Sequence, residues 1–307
     1  MKKVNIVGLG EVVVDWVFEL PHFPTPDEKV NAVSENIFSG GVTANYLVAV
    51  SRLGVNCGFI GAVGDDEYGS FLIEEFLKEK IDTTLTFKKT DKKTPVNFII
   101  IVKGEKRIIQ SPHMKKTKIN IADIDKKYIA NAKLLHTTAI HPKITEEVIK
   151  IAKNNKVKVS IDLESQIAQQ GWNKLKSILL RADILMPNRE GAKKITGTKT
   201  PEKAANILIK KGIPIIITTL GKEGVLITTE NFQKKIPAFK VDKIVDTTGA
   251  GDTFNGAFTV GYWIKNWSLE KSCKFANAAA ALKIKKLGAR SVPSEREVLE
   301  FLKEKNF

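Results

Sequence analysis

Short apolar runs alternate with stretches of helical periodicity along most of the chain. Runs at residues 4–9, 58–63, 96–102, 134–138, 157–161, 184–186, 213–219 and 225–228 read as strands. Helical patterns lie between many of them. Tyr68, Phe71, Leu72 and Phe76 share one helical face, and so do Phe254, Ala257, Phe258, Gly261 and Tyr262. Gly40-Gly41 opens a further helix, which ends at Leu53-Gly54. Near the end, Ser294 and Glu297 have the spacing of a capping box, with Val298, Leu299 and Leu302 as the apolar face behind it. Strand–helix alternation of this kind predicts a mostly parallel sheet with helices on both faces.

Two stretches break the alternation. Residues 15–39 are rich in turns and offer no good helix. Residues 92–113 read as a hairpin: PVNFIIIV, a turn at Lys103-Gly104-Glu105-Lys106, then RIIQ. Both follow core elements, so they are expected to pair as a small extra sheet, a plausible form for a lid. The apolar NFIIIV strand argues against full exposure, because an uncovered edge of that kind invites pairing. It is expected to be covered by substrate, core or a second subunit, and a homodimer joined through the lid is one such arrangement.

Composition narrows the class. The 307 residues suffice for one large domain, or a domain plus a smaller one. With 43% hydrophobic and 27% charged residues the chain is globular. It has no apolar run long enough to span a membrane. MKKVNIVGLGEVVVD lacks a signal-peptide cleavage pattern and reads as a first strand. Cys57 and Cys273 sit in apolar surroundings, as buried thiols of a reducing compartment would, so a cytoplasmic location is expected. The histidines show no metal-ligand spacing. The net charge is +15, from 49 Lys and Arg against 34 Asp and Glu. The lysines are spread over the whole chain, without a basic arm or an aromatic–basic RNA signature. That favours solvated surface over a nucleic-acid partner, and a basic field also attracts an anionic substrate such as a nucleotide.

The chemistry-bearing motifs differ in specificity. GLGEVVVD contains Gly-x-Gly, but Val13 stands where a dinucleotide fold needs its third glycine, and there is no P-loop sequence. Asp15 follows a buried apolar run near a strand end, where an acid either caps a turn or binds ligand hydroxyls. In Gly40-Gly41-Val42-Thr43-Ala44-Asn45 the paired glycines let a ligand approach the backbone, and Asn45 lies one turn into the helix. The sharpest signal is DTTGAGDTFNGAF, residues 246–258. The helical face that starts at Phe254 requires a helix beginning near residue 250. Its free first-turn N–H groups and positive dipole end suit an anion, and Gly249, Ala250 and Gly251 leave them bare. Asp252 stands beside that site. An anion hole next to a carboxylate is what phosphoryl transfer to a hydroxyl needs.

These residues resemble the ribokinase family, also called PfkB-type sugar kinases. DTTGAGDTFNGAF is similar to the family's C-terminal signature and GGVTANYLVAVSRLG to its N-terminal one, and the likeness covers essentially the whole chain. The resemblance implies a three-layer, Rossmann-like α/β core, a single kinase domain over residues 1–307, with a β-sheet lid made of parts of 15–40 and 92–112. It implies ATP as donor and Mg²⁺ as helper. It makes Asp252 the base, with Gly249, Ala250 and Gly251 as anion hole, and sets Asp15, Gly40, Gly41 and Asn45 on the acceptor. It sets Asn188, Thr219, Gly221, Gly224 and Asn277 along the nucleotide, and a monovalent cation, K⁺, near Asp246. The chain departs from the family where Asn-x-x-Glu is usual. It reads Asn188-Arg189-Glu190-Gly191, so Glu190 falls one position early as the indirect Mg²⁺ ligand. Leu47 stands for a small residue and Glu164 for an Asn. Val42 replaces the Lys of phosphosugar-binding members, which argues against a phosphorylated acceptor.

The leading expectation is an ATP-dependent kinase acting on a hydroxyl of a small sugar or polyol. A nucleoside kinase is the alternative, favoured if Trp16, Phe18 or Phe98 stack a base. A non-catalytic sugar or nucleotide sensor is motivated by the displaced acid and opposed by Asp252 with its glycines.

Overall fold

The computed structural model describes residues 4–305. Among these residues the strands are β1 (Ile6–Leu9), β2 (Val13–Glu19), β3 (Ser34–Gly40), β4 (Cys57–Gly64), β5 (Asp82–Lys89), β6 (Val96–Val102), β7 (Glu105–Gln110), β8 (Leu134–Thr137), β9 (Lys158–Leu163), β10 (Ile184–Pro187), β11 (Ile216–Thr219), β12 (Val225–Thr228) and β13 (Gln233–Ile236). Nine form one sheet in the order β13-β12-β11-β10-β9-β8-β1-β4-β5, and β3-β2-β6-β7 form a second. The large sheet is parallel from β5 through β11, while β12 and β13 run antiparallel at the far edge.

Alternate strand residues supply two separate cores. Ile6, Leu134, Ile184 and Ile217 join one cluster with residues of the helices Val42–Arg52, Ala250–Thr259 and Leu269–Lys283. Their neighbours Val7, Leu135, Leu185 and Ile216 join the other, against Pro142–Asn154, Trp172–Leu179 and Pro201–Lys210. That is the two-residue period of strands buried on both faces, and it gives the three-layer architecture expected from the sequence.

The differences lie at the edges. β5 (DTTLTFKK) and β13 (QKKI) carry no apolar run, and each buries a single side chain, Leu85 and Ile236 respectively. An edge strand needs few apolar residues, so the apolar-run criterion passes over it. The expected strand at 213–219 shortens to Ile216–Thr219, and the turn-rich 15–39 region holds two strand segments within it.

In the small sheet β6 is interior, paired in parallel with β2 and antiparallel with β7. Lys103 and Gly104 both have positive φ, 48° and 84°, so the β6–β7 turn is the tight two-residue kind whose twist matches the strands. Pairing fixes the faces. Asp15 lies opposite Asn97 on one face, and Trp16 opposite Ile37 and Phe98 on the other. Trp16 stacks on Phe18 at 5.3 Å between ring centres and meets Tyr68 of the helix Glu67–Lys78 edge-on at 6.4 Å. This contact anchors the small sheet to the core.

Candidate active site

The chain leaves β1 towards β4 and β5 and returns on the other side of β1 as β8. The crevice at the carboxyl ends of strands around such a reversal is where open α/β sheets bind ligands. Glu11 follows β1, Thr138 follows β8, Asp162 lies at the end of β9 and Glu164 just beyond it, Asn188 follows β10 and Thr219 ends β11. Thr138 Oγ1 donates to Glu11 Oε2 across the reversal at 3.0 Å.

The helix Ala250–Thr259 opens over this crevice, starting where the sequence required. Gly249 caps it in the left-handed region, φ 76°, and a Cβ there would meet the Ala289 carbonyl oxygen at 2.3 Å, so no other residue fits. The N–H of Ala250 is engaged by Thr247 O at 3.2 Å. A Cβ on Gly251 would meet nothing within 4 Å, so the ground in front of it is open to an approaching anion. Asp252 is partly buried in the first turn, and Asn45 Nδ2 donates to its Oδ2 at 2.8 Å.

The residues expected at the acceptor converge on the same place. Asn45 Oδ1 accepts from Arg290 Nε at 3.2 Å, and Arg290 Nη2 donates to Gly40 O at 3.2 Å. Asp15 Oδ1 accepts from Asn97 Nδ2 at 2.8 Å. A Cβ on Gly40 would sit 2.2 Å from Asp15 Oδ2, so Gly40 makes room for that carboxylate. Gly41, at φ 99°, turns the chain into the helix Val42–Arg52.

Carboxylates crowd the floor. Burial first, then the charges of Glu164, Glu11 and Asp15, push Asp252 up to about 8, against the Asn45 hydrogen bond. Burial and Glu164 raise Glu11 to about 7. Burial also raises Glu164, and it raises Asp162 together with the charges of Glu164, Asp252 and Glu11, while Asn255 Nδ2 donates to Asp162 Oδ2 at 2.9 Å. Such oxygens suit a hard dication. Among the described residues no three are grouped closely enough to hold a metal ion by themselves, so its remaining ligands would be phosphate and water.

The residues expected along the nucleotide are more dispersed. Asn188 caps the helix Arg189–Thr196, its Oδ1 accepting from Gly191 N at 2.7 Å, and it bridges to Thr219. Gly221 and Gly224 take positive φ in the turn between β11 and β12, and Arg189 ties down that turn through Leu220 O and Glu223. Asn277 is buried and spends its amide on Ile236 O and Pro237 O, at 3.3 and 2.9 Å, so it shapes the loop after β13. Glu190 is exposed and paired with Lys193 Nζ at 3.0 Å. At Gly191, a Cβ would strike Leu163 O at 2.2 Å and approach Glu164 C at 3.3 Å. The chain bearing Glu164 thus occupies the space that a side chain at 191 would need. Asp246, the expected cation residue, accepts from Thr248 N on Oδ1 at 2.9 Å and from Gly288 N on Oδ2 at 3.0 Å. Although burial opposes it, these bonds and the nearby Lys283 hold its carboxyl below the ordinary value.

Sequence reasoning did not single out Glu11, Asn97, Asp162 or Lys283. Glu11, Asp162 and Lys283 carry the signal of a charged residue in an apolar or alanine-rich stretch, and Asn97 that of a polar amide inside an apolar strand.

The geometry agrees with three comparisons. The chain is 33% identical to a ribokinase of Haemophilus influenzae, over 98% of this chain and 99% of the other. A ribokinase structure from Thermotoga maritima superposes with a TM-score of 0.86 at 34% identity, covering 98% of this chain and 99% of that one. The Arabidopsis thaliana ribokinase complexed with ribose and ATP gives 0.88 at 25% identity, with the same coverage. The pfkB family carbohydrate kinase model matches residues 3–296, and the chain belongs to that family of phosphotransferases with an alcohol acceptor.

Proposed function

We propose that this kinase transfers the γ-phosphoryl group of ATP to a hydroxyl of a small sugar or polyol. One observation carries the reading: the Asn45–Asp252 hydrogen bond of 2.8 Å places the carboxylate in the first helical turn, beside the open ground at Gly251. Asp15, with Asn97 behind it, holds acceptor hydroxyls. The acceptor oxygen attacks the γ-phosphorus, the bond to the β–γ bridging oxygen breaks, and ADP leaves. Asp252 takes the acceptor proton, and the N–H of Gly251 meets the charge on the transferring group, the N–H of Ala250 being engaged by Thr247 O. Glu11, Asp162 and Glu164 are the oxygens towards which Mg²⁺ would be drawn. When bound, the ion would neutralise phosphate charge.

The small sheet supports the role of a lid over the acceptor. Asp15 and Asn97 project from its site-facing side, and Lys106 Nζ reaches Thr248 Oγ1 at 3.2 Å. The aromatic residues that would stack a nucleobase, Trp16, Phe18 and Phe98, occupy the opposite face. This favours a sugar over a nucleoside. The test is ADP release from Mg·ATP against free sugars, polyols and nucleosides, with ribose first and Asp252→Asn as control. A signal on one sugar or polyol that disappears in the variant is expected. Turnover on nucleosides alone would reverse the acceptor class.

A further inference from the structure

Lys283 is the only fully buried lysine among the described residues. It ends the helix Leu269–Lys283, where the carbonyl end of the dipole favours a cation. Its Nζ donates to the main-chain oxygen of Asp246 at 2.8 Å and lies 3.8 Å from Asp246 Oδ2. Val245 and Asp246 donate their N–H groups to Ile284 O, at 2.8 and 3.2 Å, and Gly288 N binds Asp246 Oδ2. The ammonium therefore stands between two segments, 245–249 and 284–289. These form one wall of the anion site, closed by Gly249 against Ala289.

A free monovalent cation at Asp246 would need the oxygens that are already engaged here. The main-chain oxygen faces the ammonium, and both carboxylate oxygens accept backbone N–H groups. The residues do not fit a free ion. We infer that Lys283 supplies, as a covalently attached charge, the positive group that a monovalent cation would supply at this turn, so that the kinase works without one. Lys283 is a positioning residue. It touches no substrate and acts by holding the Asp246–Gly249 turn, and its charge adds to the field at the helix start. Burial works against that charge, and Asp246 and Asp252 support it.

The inference rests on the kinase reading, and the test separates the two. Mg·ATP affinity and melting temperature are measured for wild type, Lys283→Ala and Lys283→Met in potassium, ammonium, sodium and tetramethylammonium chloride at equal ionic strength. Wild type is expected to behave alike in all of them. Lys283→Ala is expected to bind Mg·ATP about tenfold more weakly in tetramethylammonium, the equivalent of one charge-assisted hydrogen bond. Potassium or ammonium should restore its affinity and raise its melting temperature by entering the vacated space. Lys283→Met fills that space, so its affinity should fall and stay low in every salt. A wild type strengthened several-fold by potassium overturns the inference, as does a Lys283→Ala protein that loses nothing or that no ion restores. If the alanine variant does not fold, methionine decides alone, and undiminished affinity there refutes the role. A wild type that binds no nucleotide in any salt sinks the kinase reading instead, and the melting temperatures still answer the question about the cation.

Discussion

Replacing Asp252 by Asn should move activity and stability in opposite directions. The amide keeps an oxygen for Asn45 Nδ2, so the local geometry survives, but it cannot take a proton. Turnover should fall on the order of 10²–10⁴-fold, the usual worth of a positioned base. Stability follows from the carboxyl's environment. Burial and the neighbouring acids raise it from 3.8 to about 8. A fully sealed group moved that far would cost ~6 kcal/mol when ionised. Asp252 is only partly buried and water screens it, so about a third of that, ~2 kcal/mol, is the working figure.

The sign is unambiguous. Between about pH 4 and 8 the folded state holds this proton and the unfolded chain releases it, so wild-type stability declines as pH rises through that window. Asn does not titrate. The variant should match wild type at or below about pH 4 and melt about 4 °C higher near pH 8 or 9. Thermal unfolding from about pH 4 to 9, beside turnover on the identified acceptor, reads both effects. Equal melting curves at high pH would refute the electrostatic account, and near wild-type turnover would refute the base.

The neighbouring residues give further tests. Glu164→Gln removes a charge that raises Asp252, so the rise of kcat/KM with pH, expected near 8 for the free enzyme, should move to lower pH; an unmoved inflection would disconnect the two acids. Gly191→Ala should lower the urea midpoint by an amount equal to about 2 kcal/mol or more, since its Cβ meets a backbone oxygen at 2.2 Å, and Gly191→Glu should fare no better. An alanine variant as stable as wild type would contradict the packing. Asp15→Asn should raise KM for the acceptor about 10–100-fold and leave ATP affinity unchanged, the pattern of a lost charged hydrogen bond to a hydroxyl. Equal loss on both substrates would place Asp15 in general support of the fold.

What the sequence made legible tracks burial and local bonding. Strands covered on both faces are short apolar runs, so 225–228 coincides with β12, and the half-buried apolar run 96–102 coincides with β6 of the small sheet. The helix start at Gly249-Ala250 was legible because only glycine tolerates the left-handed cap against Ala289. β5 and β13 escaped because edge strands need little apolar surface. Gly191 escaped for a different reason. As text it is the gap where a family acid is missing, and restoring Glu looks like repair. In space it is the contact point for Leu163 and Glu164, separated from it by 28 and 27 positions, and no local pattern carries that information. At 191 the glycine leaves room for the backbone that follows β9 and carries Glu164.

Glu11, Asp162, Glu164 and Asp252 keep the floor of the cleft acidic while the molecule as a whole carries +15. The two charges act at different ranges. Screening confines exposed lysines to roughly 8–10 Å, so the basic surface draws a polyanion towards the protein without choosing its pose. Inside the cleft burial raises all four acids and the charge of Glu164 adds to the rise at Glu11, Asp162 and Asp252, so a bare triphosphate would add repulsion to a site that holds protons to relieve it. Only a nucleotide that brings compensating positive charge suits that floor, and ionised Asp252 suits it least until that charge arrives. In the mechanism proposed above, the raised carboxyl keeps Asp252 protonated until both substrates are in place. Lys283 and Arg290 temper the acids without outweighing burial: Asp252 supports the Lys283 charge and Arg290 lowers Asp15, while both cations donate to backbone or amide oxygens that hold the walls in position.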